Sequence, residues 1–294
     1  MRTSSLVVTL AVCLSGSIAS LGADRRAFEF SEIVIPGAIL TNAQGINAAG
    51  DIVGIYRDAG GRTHGFLLSK GEVTTVDFPG AAATEARGIG PGGEIVGTYR
   101  IAGEPAVNIH GFQLHKDGTL SRVDYPNHTS TIPQRILPNG MILGCRHDVD
   151  TMETMHGVRI GADGSSDETD VPATMHNGAT PDGSLIVGLY TDMMTGRGEG
   201  YVIEDGEFTP FVVPGSNFTA AWDVNPRGEV VGVYRDAANR FHGFVRDGDD
   251  YVALDVPGAT ATRAFGINAG GDVVGAFVDA AGRTRAFIAS RKRK

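Results

Sequence analysis

Six of the chain's seven methionines fall between Met141 and Met194, and His147, His156, His176 and Cys145 stand among them. Thioether, imidazole and thiolate are the donors preferred by soft ions such as Cu(I). Met152, Met155 and His156 sit in or beside one loop of the repeat described below. Met175 and His176 open the next repeat, and Met193 and Met194 sit in its corresponding loop. These seven residues are therefore candidate ligand-binding residues on one face of two neighbouring units. They suit two chemistries, a copper site in an exported protein or an adaptable contact surface for a protein or small ligand. Flexible methionines also serve as plain gap fillers.

Other constellations are weaker. Gly88-Ile89-Gly90-Pro91-Gly92-Gly93 matches a dinucleotide fingerprint by letter, but that chemistry needs a helix N-terminus after the glycines, and the strand-like run Glu94 to Tyr99 follows. Asp247, Asp249 and Asp250 lack the further carboxylate at fixed spacing of a calcium loop. No Gly-x-Ser-x-Gly elbow and no His-Glu-x-x-His zinc motif occurs. The strands expected nearest a central axis offer Asn47, Asn225, Asn268 and Thr41, with Asp223 and Arg87 as charges. Such a set is thin for general acid–base work. It favours a non-catalytic binding scaffold over the alternative, a hydrolase or lyase with an axial site. No cofactor is expected unless the Met/His cluster takes copper.

These residues hang on a repeat. Gly50-Asp51-Ile52-Val53-Gly54 returns as Gly93-Glu94-Ile95-Val96-Gly97, Gly140-Met141-Ile142-Leu143-Gly144, Ser184-Leu185-Ile186-Val187-Gly188, Gly228-Glu229-Val230-Val231-Gly232 and Gly271-Asp272-Val273-Val274-Gly275, with final glycines 43, 47, 44, 44 and 43 residues apart. A fixed period in this range marks units that bury their apolar faces against each other. The first unit reads as four short strands, Thr41 to Asn47, Asp51 to Tyr56, His64 to Ser69 and Val73 to Phe78, separated by Gly-rich turns. Four antiparallel strands per unit describe a propeller blade. The last repeat lacks its fourth strand, and Phe28 to Ile35 precedes the first repeat without a blade of its own. The expected fold is an all-β, six-bladed propeller with its last blade closed by the N-terminal strand. An open β-solenoid, which has no use for complementary half-blades, is the competing reading. Phe66, Phe78, Phe112, Phe244 and Phe287 are expected to pack between blades.

The chain has 294 residues, 42 of them glycine, and a net charge of −9. That charge argues against nucleic-acid binding, which needs a basic surface. Arg2, the apolar Leu6 to Leu14 and the small residues up to Ala23 form the pattern of a secretory signal. Residues 1–23 are thus expected to be a signal peptide, 24–290 one propeller domain and 291–294 a basic tail. No run suits a membrane span. The expected product is a secreted or periplasmic monomer with an unidentified protein or small ligand as partner, and with Cys145 as its lone cysteine.

His64-Gly65-Phe66, His110-Gly111-Phe112 and His242-Gly243-Phe244 recur with Gly45-Ile46-Asn47 and Gly266-Ile267-Asn268. The combination resembles the bacterial extracellular HAF-repeat family over nearly the whole mature chain. The resemblance implies an exported repeat protein and brings no catalytic residues. The triplet histidine is expected to bond to a neighbouring blade, and Asp58, Asp148, Asp192, Asp236 and Asp279 to cap the same turn in five repeats.

Overall fold

Each repeat folds into a four-stranded antiparallel sheet, and six such sheets form a closed β-propeller. The computed structural model describes residues 6–7, 28–148 and 154–292. The expected signal segment lies outside the described residues except for Leu6–Val7, a two-residue strand paired with Glu72 and Val73 on the outer edge of the first blade. In that blade the strands run outward as Leu40–Ile46, Ile52–Arg57, Thr63–Ser69 and Glu72–Val76. The inner strands of the second to sixth blades are Ala83–Ile89, Ser130–Ile136, Thr174–Ala179, Phe218–Val224 and Ala261–Ile267.

The ring closes as the half-blades require. Phe28–Ile33 pairs antiparallel with Thr284–Arg291, in register from Phe28↔Arg291 to Ile33↔Ala286, and supplies the outer strand of the sixth blade. The sixth blade in turn packs on the inner strand of the first. Two sheet edges are thereby covered at once.

The two repeated phrases need each other. A Cβ on Gly54 would lie 2.8 Å from the Phe66 ring and 2.1 Å from the Asn42 carbonyl oxygen. The glycine that ends the Gly-Asp-Ile-Val-Gly phrase thus opens the slot that the triplet phenylalanine fills. Phe66, Phe112, Phe244 and Phe287 are fully buried there. Each contributes about 2–3 kcal/mol of apolar burial.

The triplet histidine turns out to bond within its own blade. His64 Nδ1 lies 2.8 Å from Asp77 and Nε2 3.2 Å from Asp58, with the ring stacked 4.9 Å from Tyr56. His242 repeats this between Asp255 and Asp236, stacked on Tyr234. The reason is register: the histidine pairs across the sheet with the tyrosine, beside the turn aspartate. Asp58 meanwhile accepts the Arg62 amide, which is the turn capping expected of it. In the sixth blade Arg285 stands in for the histidine and reaches Asp279 and Glu32, the latter on the N-terminal closing strand.

Burial pushes the Cys145 thiol up to about 12, so the folded protein holds it protonated. Thiol labelling therefore reports opening of the ring. Removing residues 24–36 should lower the melting temperature and speed labelling of Cys145 by a disulfide reagent. Unchanged melting and unchanged labelling would show that the closing strand is dispensable.

Candidate functional site

Every inner strand carries a bulge, seen as a register shift at Ala43/Gly45, Ala86/Gly88, Pro133/Arg135, His176/Gly178, Ala221/Asp223 and Ala264/Gly266. A bulge leaves one residue out of the ladder and re-aims its groups. The skipped residues are Gln44, Arg87, Gln134, Asn177, Trp222 and Phe265. In four blades a glycine follows, and the inner strands approach closely there. A Cβ on Gly88 would sit 2.4 Å from the Gln134 carbonyl oxygen, and one on Gly178 2.6 Å from the Asp223 Cα.

The third and fifth blades place Arg135 and Asp223 in this glycine slot. The Arg135 guanidinium donates to the carbonyls of Arg87 (3.1 Å), Gln134 (2.8 Å), Gln44 (3.2 Å) and Phe265 (2.7 Å). It also pairs with Asp223 at 3.3 Å. Asp223 accepts the amides of Val224 and Ile267. Burial raises the Asp223 carboxyl above the usual carboxylate range, and Arg135 opposes that shift. One ion pair thus ties five blades together and plugs the axis.

Two unlike mouths flank the plug. On the side of the turns between first and second strands lies a funnel of about 110 Å³ with walls from Ile46, Ile89, Ile136, Val224 and Ile267. Asn47 lines it, but its side chain is spent on its own turn, accepting from the amides of Ala49 and Asp51. Asn225 accepts the amides of Arg227 and Glu229, and Asn268 that of Asp272. On the other side, the face of the interblade connections, Arg87 pairs with Glu85 at 2.6 Å and Trp222 meets Phe265 edge to face at 5.0 Å. Arg263 lies over Phe241 at 4.3 Å.

The Met/His candidates divide into a group inside the third and fourth blades and an exposed pair on the rim. Met152 lies outside the described residues. Met155 is buried with Ile132 and Cys145, and Met175 packs against that cluster. His156 Nδ1 donates to the Thr169 carbonyl at 3.0 Å. His176 is buried at 0% exposure, facing Gly157 of the preceding blade. Met193 and Met194 are the exposed candidates among the described residues, at 51% and 96% exposure, while His156 and Met175 are half-buried. Among the described residues, no three His, Cys, Asp or Glu side chains gather as a metal set.

His176 fills a slot that is Ala43, Ala86, Ala221 or Ala264 in other blades, and Tyr201 replaces the matching phenylalanine. The Tyr201 hydroxyl donates to the Met175 carbonyl at 2.8 Å and lies 2.6 Å from His176 Nδ1. With the only hydroxyl proton committed, Nδ1 must be the N–H donor. Nε2 is then a bare lone pair, buried without a partner. Burial holds the imidazole pKa down to about 3.

Sequence reasoning missed Arg135. Its signal is present once Arg135-Ile136-Leu137 is set beneath Gly45-Ile46-Asn47, where a long cation replaces the glycine.

A six-bladed propeller with a plugged axis is the class that these features define. No family model matches the chain, and no curated protein matches it either. Solved structures do resemble it. TolB from Acinetobacter baumannii shares 13% identity at a TM-score of 0.56, over 88% of this chain and 66% of that one. A putative TolB from Agrobacterium tumefaciens shares 15% at 0.57, over 87% and 91%. The Aleuria aurantia lectin shares 10% at 0.54, over 84% and 91%. At these identities the likeness shows the fold.

Arg135→Gly should destabilise the protein by about 3–5 kcal/mol, because it strands a buried carboxylate. Asp223→Gly should also destabilise, and the double variant should recover much of the loss in a denaturant double-mutant cycle. Additive losses would deny the coupling. The lowered His176 pKa makes the unfolded state the better proton binder below about pH 6.5. Its contribution is therefore complete above that pH and is lost as pH falls toward about 3, at up to about 1.4 kcal/mol per unit. Replacing His176 and Tyr201 together by Ala and Phe should flatten this acid slope in urea melts at several pH values.

Proposed function

We propose that the chain is an exported, non-catalytic binding scaffold that engages a protein partner through the face carrying the interblade connections. One observation carries the reading. The exposed large hydrophobics among the described residues are Ile39 (54%), Met193 and Met194. Ile39 stands in the connection leading into the first blade. The two methionines stand in the loop between the second and third strands of the fourth, so all three lie on the same face. Single exposed apolar residues are ordinary, and the support here is the adjacent pair Met193-Met194 on this rim, with Ile39 on the same face. Methionine suits a surface that adapts to its partner.

Charge placement supports binding over catalysis. Asp223 and Arg135 are paired on the axis, and Glu85 and Arg87 are paired beside it. Neither pair leaves a free acid next to a free base, as hydrolysis or elimination would need. The signal pattern at the N-terminus supports export. Among the structural neighbours, the Aleuria aurantia lectin holds a fucosylated ligand, so this fold does serve binding.

The test compares pull-downs by the wild type and by the Ile39→Ser, Met193→Ser, Met194→Ser triple variant. A partner kept by the wild type, lost by the triple variant and kept by Lys70→Ser on the opposite face is the expected result. The triple variant should melt within a few degrees of the wild type, because surface changes usually cost under about 0.5 kcal/mol each. Equal recovery by all three proteins would overturn the proposed face.

A further inference from the structure

A cleft of about 380 Å³ opens between the fourth and fifth blades, on the face opposite the one proposed above for a protein partner. Its volume falls in the range of about 300–1,000 Å³ usual for small-molecule sites. Two residues in it break the repeat. The slot paired with the isoleucine or valine of the second strand holds Leu68, Leu114, Ile160, Ile203 and Ala289 in five blades and Arg246 in the fifth. On the outer strand, the slot that is Val76 in the first blade and Leu254 in the fifth is Phe211 in the fourth.

The two exceptions meet. The Arg246 guanidinium lies over the Phe211 ring at 4.7 Å. Its Nε is buried without a hydrogen-bond partner. A cation in a slot built for an aliphatic side chain costs desolvation and leaves this donor unspent. Glu204, Asp205, Glu207 and Thr209 line the same cleft, with Leu185, Val202 and Val230 as apolar wall.

The chemistry of this wall is mixed by design of its residue types. The three carboxylates disfavour an anion, and the guanidinium over Phe211 disfavours a cation at the apolar wall beside it. A ring of neutral hydroxyls offers donors to the carboxylates and acceptors to the guanidinium, and its C–H face suits the aliphatic wall. We propose that the cleft between the fourth and fifth blades binds a neutral monosaccharide unit, with Arg246 and Glu207 as its polar contacts.

The experiment is heteronuclear NMR titration of the full chain with glucose, galactose, mannose, fucose and N-acetylglucosamine, each beside glucuronate and glucosamine. The expected result is saturable shifts at cleft residues for at least one neutral sugar and weaker shifts for both charged ones. Arg246→Leu restores the residue type of the other blades and should fold. It should weaken that sugar about tenfold or more, the worth of one charge-assisted hydrogen bond. Glu207→Gln should weaken it without changing the melt. The proposal is overturned if no neutral sugar shifts the cleft, if a charged sugar binds more tightly, if the shifts centre on Trp222, or if Arg246→Leu binds as well as the wild type.

Discussion

A propeller gathers the inner edges of its blades around an axis, and here the bulges turn backbone carbonyls toward it. Carbonyls so placed need donors, because an unpaired buried acceptor costs about as much as a lost hydrogen bond. Arg135 meets that demand with one side chain. Its planar fork reaches four of the skipped residues' carbonyls in four blades, and its charge is balanced by Asp223 in a fifth. A lysine has neither the fork nor the reach to replace it. The glycines at the same level follow from the same crowding, since a side chain on Gly88 or Gly178 would run into a neighbouring strand. The axis is therefore fixed electrostatically, whereas the blade interfaces are fixed by aromatic rings packed over glycines.

This division explains which parts of the molecule vary. The outer rim tolerates exchange in the histidine slot: Arg285 fills it in the sixth blade, meeting Asp279 and Glu32, and Glu199 fills it in the fourth, accepting from the Tyr190 hydroxyl. Interface exchanges come in pairs. His176 in an alanine slot is accommodated because Tyr201 replaces phenylalanine and supplies a hydroxyl to orient the ring. Arg246 and Phe211 form a second pair, between the fourth and fifth blades. Both pairs involve the fourth blade, which departs from the repeat in its triplet as well.

The architecture was legible in the sequence because each feature is written six times or twice in complementary halves. The period gave the blades, and the unmatched first and last strands gave the closure. The site was less legible because it consists of exceptions. Arg135 stands where the Gly-Ile-Asn phrase has its glycine, and nothing in the local sequence says that this slot faces the carbonyls of four blades. Nearness along the chain does not show which side chains are buried. Met155, beside one loop, and His176, at the entry to the next repeat, share a stretch of sequence with Met193 and Met194, but strand alternation turns His176 into the blade interface and Met155 is buried as well. Asn47, Asn225 and Asn268 do stand at the axial funnel, yet each turns its amide back on its own turn.

The pairing of Phe28–Ile33 with Thr284–Arg291 has a consequence for biosynthesis. The ring is sealed by a contact between a strand that precedes all six inner strands and the last strand of the sixth repeat, and such long-range closure is slow to form. A chain cut short anywhere before the sixth blade keeps an unpaired N-terminal strand and an open sheet edge, the feature that proteases and aggregation exploit. Closure of the last blade therefore protects the chain only once both of its ends are in place. Only chains that carry both strands hide these edges.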